Sequence, residues 1–94
     1  MGKNTKILNA CLANPQNLIE LVDYADDSIV SKTIIDSRQG TITIFAFDQG
    51  QALSEHQVPH NAFVNVLQGK GTFTIDSTEH TVMEGQVVIM PANI

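Results

Sequence analysis

From Ser28 onward the chain is built of short runs rich in Val, Ile, Thr and Phe, each broken after a few residues by Gly, Asp or Pro. β-branched and aromatic side chains suit a pleated surface, and breakers at this spacing leave room only for short strands, so the pattern predicts an all-β sandwich or barrel. Strands are expected at about 29–36, 41–48, 53–58, 61–68, 71–76, 80–83 and 86–90. The turns between them fall at Ser37-Arg38-Gln39-Gly40, Asp48-Gln49-Gly50, Gly69-Lys70-Gly71, Asp76-Ser77-Thr78-Glu79 and Glu84-Gly85. Residues 1–27 differ in texture and read as an N-terminal arm ahead of a barrel over 28–94. Within the arm, Asn14, Pro15 and the apolar set Leu18, Ile19, Leu21 and Val22 predict one short helix ending near Tyr24.

Composition then removes several classes of function. A chain of 94 residues supports one domain with one core. Charged residues are 16% and hydrophobic residues 43% of the chain, against roughly 25% charged in average proteins, which marks a globular rather than disordered chain. Five Lys and Arg against ten Asp and Glu leave a net charge of −5 and no basic cluster, which argues against nucleic acid. No apolar run reaches the ~18 residues of a membrane span, and residues 1–14 lack a signal-peptide core, so a cytoplasmic protein with no membrane partner is expected. Cys11 is the only cysteine, which excludes an intrachain disulfide and a multi-thiolate zinc site. It has no basic neighbour to activate it as a nucleophile.

Alternate residues of a strand point to opposite faces. Ser54, His56 and Val58 therefore share one side of their strand, as do Ala62, Val64 and Val66 of the next. Phe63 and Leu67 lie on the opposite side with Asn65 between them, which makes that strand apolar on both faces. Either residues 18–24 or a second copy of the chain must cover the outer strip, and a homodimer is one expected partner state.

The segment from Gly50 to Gly69 resembles the first motif of the cupin superfamily, with Gly50, His56 and Gly69 in register. Gly85 through Pro91 is similar to the opening of the second motif, and Phe45–His56 is similar to the small, single-domain conserved-barrel cupins. The resemblance covers about residues 18–94 and implies a double-stranded β-helix, or jelly roll. It also implies that the chain ends before the last strands. Truncation, strand exchange with a partner, or occupation of the vacant place by the N-terminal residues would each account for that. Function does not follow from fold alone.

In metal-binding cupins the ligands are two His and one Glu of the first motif and a His of the second. Here Val58 stands at the second His position, Ala62 at the Glu position and Asn93 at the second-motif Gly, and the chain stops at Ile94 before the last His. His56 alone remains at a family ligand position, and one imidazole does not hold a transition metal against water. His60 is a possible second ligand if its strand begins early, since residue 60 shares the parity of Ala62; Pro59 argues for a loop instead. A neutral His56 hydrogen-bonded inside a barrel needs no ion. Ser54, Glu55 and His56 do not form a triad, because neighbours on a strand face opposite ways. Gly69-Lys70-Gly71 reads as a tight hairpin rather than a phosphate loop, and His80, beside Glu79 at a turn-to-strand junction, reads as solvent-facing.

Three functions are open. The first is a cupin barrel that binds a compact, mostly apolar small molecule against Ser54, His56, Val58, Ala62, Val64 and Val66, with a degenerate metal site. The second is a metal-dependent isomerase, decarboxylase or dioxygenase that uses a divalent transition metal on His56, His60 and a His beyond the chain end. The third is an interaction module without a ligand.

Overall fold

The computed structural model describes residues 4–53 and 59–93. The chain divides into two compact units, Met1–Leu53 and Ser54–Ile94. Strands dominate both. Among the described residues no helix is long and apolar enough to cross a membrane.

The first unit holds one antiparallel sheet in the order β1 (Lys6–Ile7), β2 (Ile29–Ser37), β3 (Gly40–Phe47). β2 and β3 form a hairpin whose ends Ser37 and Gly40 pair directly, with the Ser37 hydroxyl donating to the Gly40 carbonyl at 3.1 Å. The register slips between Thr33 and Ile35, so Ile34 is the extra residue of a β-bulge. Its carbonyl is not wasted: the Leu8 N–H donates to it at 2.9 Å and ties the chain that leaves β1 to the bulge. Alternation sorts the faces of β3. Ile44 and Ala46 are buried, as is Leu21, while Phe45 and Phe47 remain exposed on the other face with ring centroids 5.8 Å apart.

The expected helix near residues 18–24 is a single 3-10 turn, Leu18–Glu20. Asn17 spends its side chain on the Glu20 carboxylate at 3.3 Å rather than on a backbone N–H, so no cap starts a longer helix. A segment of this length is far below the roughly 12 residues at which a helix holds without tertiary support.

The second unit nests one hairpin inside another pair. β4 (Ala62–Asn65) pairs antiparallel with β7 (Val87–Met90), and β5 (Lys70–Ile75) pairs antiparallel with β6 (Thr78–Met83), which lie between them in sequence. Hydrogen bonds at the base hold the two pairs in relation. Val66 donates its N–H to Gln86 at 3.1 Å and accepts from Gly85 at 2.7 Å, the Gln86 side chain accepts from the Met83 N–H at 2.8 Å, and Glu84 accepts from the Gly69 N–H at 3.1 Å. At the far end of the β4–β7 pair, Asn61 accepts from the Ala92 N–H at 2.9 Å.

The hairpin tip differs from the sequence reading. Ile75 pairs with Thr78, so the loop is only Asp76 and Ser77, both at positive φ (49° and 67°), the mirror-image geometry whose twist suits two-residue hairpins. The four-residue turn expected at 76–79 therefore gives way to a strand that starts at Thr78, which moves His80 from a turn margin into mid-strand.

Candidate functional site

Glycines set the frame of the candidate site. Gly50, Gly69 and Gly85, the residues whose spacing carried the sequence resemblance, all adopt positive φ (86°, 80° and 85°). A side chain is strained in that region, so these positions are demanded by backbone geometry rather than by chemistry. Asn93 stands where the second motif has glycine and takes φ of 63°. Asn is among the few residues with a side chain that enter this region readily, so the departure keeps the turn.

Ser54, His56 and Val58 lie outside the described residues. Ala62 and Val64 sit on β4 and are half-buried, as is Val66 just beyond its end. Ala62 pairs with Met90 and Val64 with Val88, both half-buried, so these residues make one apolar face of the β4–β7 sheet. The partners Val88 and Met90 belong to that wall as much as the β4 residues do. Sequence parity on β4 alone does not find them, because the register across the pair is set by tertiary contacts. His60 lies in a bend ahead of β4 and is exposed; the strand begins at Ala62, so strand parity does not extend to it.

Among the described residues the donor set does not match a metal centre. Ala62, at the position where the family pattern has its carboxylate, offers only a methyl group to the half-buried face. Among the described residues no three His, Cys, Asp or Glu side chains are grouped closely enough to hold an ion. A catalytic metal typically needs about three protein ligands, and the described residues do not supply that set.

The β5–β6 hairpin has a comparable face. Its cross-strand pairs Gly71–Val82, Phe73–His80 and Ile75–Thr78 share one side. Val82 is 4% exposed, and Gly71, Phe73 and Ile75 are half-buried. The opposite side carries Lys70, Thr72, Thr74, Glu79, Thr81 and Met83, all exposed. His80 is exposed too, but it projects from the apolar side. Its parity with Val82 is already present in the strand expected at 80–83.

A groove on the first unit, beside the β1–β2 edge, is lined by Lys6, Ile7, Leu8, Thr33 and Asp36, with Lys6 directly paired to Asp36; none of the candidate site residues belongs to its lining.

A comparison with protein families gives a match to the cupin domain over residues 43–94. No curated protein and no solved structure gives a match.

Proposed function

Because the chain belongs to the cupin family, an all-β jelly-roll fold, we propose that it binds a compact, mostly apolar small molecule in its second unit and that its metal site is degenerate. The observation that supports this reading is the half-buried face of Ala62, Val64, Val88 and Met90, which is apolar throughout and carries no ligating atom at the family's carboxylate position. The sequence reading adds Ser54, His56 and Val58, which lie outside the described residues, to the proposed ligand-binding set. Apolar walls with a few polar groups are the usual lining of small-molecule sites.

Toluene serves as the probe, titrated into the full chain and followed by amide NMR shifts. Saturable binding near a Kd of about 1 mM is expected for so small a ligand, weakened about tenfold by Val64→Trp, which fills the wall. Ala62→Leu, a smaller filling change, is the second variant, and thermal melts check that both remain folded. Absence of saturable binding to the native chain overturns the reading, and so does a Zn²⁺ site of submicromolar Kd that His56→Ala abolishes.

We also propose that two copies associate through the outer face of β4–β7. Phe63 is 69% exposed there, opposite Ile89 at 52%, with Val87 at 54% beside Asn65. Leu67, expected to extend this strip, is half-buried; Val87 and Ile89 extend it instead. The occupant is argued from charge. The chain carries −5, yet neither β4 nor β7 contains a charged residue, so this face brings two acidic copies together without opposing like charges.

A further inference from the structure

We infer that His80 is a ligand-contacting residue and that, with Phe73 and Thr78, it selects a small aromatic molecule bearing a hydroxyl group. The inference rests on the small-molecule reading above and names the substrate class of that site.

The geometry starts at Gly71. A methyl group there would stand 3.0 Å from Cε1 of Phe73, closer than ordinary contact allows, so the bare glycine lets the Phe73 ring lie back along its own strand toward the Gly71–Val82 pair. With the ring drawn that way, the imidazole directly across from Phe73 is left uncovered and exposed. The His80 imidazole makes no hydrogen bond to any described residue, and neither does the Thr78 hydroxyl two positions along the same face. The face thus divides along β6. On β5 the face is apolar throughout, with Gly71, the Phe73 ring and Ile75; on β6 it passes from Val82 at the base to His80 and Thr78, whose side chains hold unused donors and acceptors.

Charge narrows the ligand. No Lys, Arg, Asp or Glu lies among Gly71, Phe73, Ile75, Thr78, His80 and Val82, and the chain as a whole is acidic, so a carboxylate or phosphate finds no fixed counter-charge on this face. A planar apolar body meets the aromatic ring. One neutral hydroxyl meets an imidazole able to donate or accept. A phenol combines the two.

The test compares p-cresol with toluene on the full chain by amide and His80 imidazole NMR shifts. The two probes differ by one hydroxyl, so their affinity ratio isolates the polar contact. About a tenfold preference for p-cresol is expected, since a site built to bond a hydroxyl discriminates against the analogue without it. His80→Phe should bring the p-cresol to toluene affinity ratio to about one, and His80→Gln, which keeps a donor and an acceptor, should restore part of the preference. Equal binding of both probes, unchanged in His80→Phe and weakened in Val64→Trp, overturns the role of His80 and leaves the small-molecule reading standing. A p-cresol preference lost in His80→Phe but untouched by Val64→Trp supports His80 and overturns the wall proposed on β4–β7. If neither probe binds, both fall.

Discussion

The two strand pairs of the second unit treat solvent in opposite ways. Outside β5–β6 the side chains are Lys70, Thr72, Thr74, Glu79, Thr81 and Met83, with Thr72 directly opposite Thr81 and Thr74 opposite Glu79. Outside β4–β7 they are Phe63, Asn65, Val87 and Ile89, with Phe63 directly opposite Ile89. Both faces are exposed and both belong to strands of four to six residues. A threonine face tolerates water indefinitely, because each hydroxyl bonds to it; a Phe–Ile pair does not gain from that contact. Asn65, the one polar member of the apolar face, directs its side-chain amide to the Gln86 carbonyl at 3.0 Å instead of presenting it outward. The contrast holds within the second unit, where the exposed apolar side chains lie mainly on β4–β7 (Phe63, Val87, Ile89) against Met83 on β5–β6; the first unit exposes others, Phe45 and Phe47 among them.

The inner faces of the same pairs offer the largest effect. Val82→Asp places a carboxylate at the most buried apolar position of the second unit and should cost about 3–5 kcal/mol in denaturant titration. Thr81→Asp, on the outer face one residue away, should change stability by no more than about 0.5 kcal/mol. Equal losses for the two variants would mean that the two sides of β5–β6 are not distinguished by burial.

Association separates the outer faces. Phe63→Lys should weaken a dimer at least tenfold, about 1.4 kcal/mol, as read by light scattering across a micromolar dilution series, because it places a charge at the centre of the strip. Thr74→Lys on the other outer face should leave the association unchanged. A native chain that is monomeric throughout the series, or a dimer equally sensitive to both substitutions, removes the proposed contact.

The smallest effect is at the tip of the threonine-faced hairpin. Ser77 holds φ of 67° where glycine is favoured, so Ser77→Gly should raise stability by about 0.5–1 kcal/mol. A loss of stability would show that the Ser77 side chain contributes more than its backbone conformation costs.

Much of the frame was legible before any coordinates. The β2–β3 hairpin, the β5 strand and the β7 strand fall within a residue or two of the runs read from alternation, because β-branched residues between breakers have few other outcomes. The glycines in register at 50, 69 and 85 pointed to the fold because their backbones need positive φ, a requirement written in the residue type itself. Other features were not legible. Lys6 and Ile7 pair with Asp36 and Ile35, nearly thirty residues away, and two polar-flanked residues carry no local sign of such a partner. The apolar set at 18–22 suggested a helix, yet packing of Leu21 is satisfied by a single 3-10 turn. His80, read as solvent-facing at a turn-to-strand junction, is exposed, but β6 begins two residues earlier than read: whether Thr78 and Glu79 belong to a turn or a strand depends on how Ile75 meets its partner across the hairpin.

Residue order alone thus determined the class of fold, the glycines with positive φ at 50, 69 and 85 and the loss of the family's carboxylate at Ala62, since each depends on the chemistry of a single residue or its near neighbours. Only the folded arrangement decided which strands pair, that Phe73 leans over Gly71, and that His80 stands directly across from Phe73. Register is a property of two strands at once, set by burial and hydrogen bonding between segments distant in sequence, and no single segment carries it.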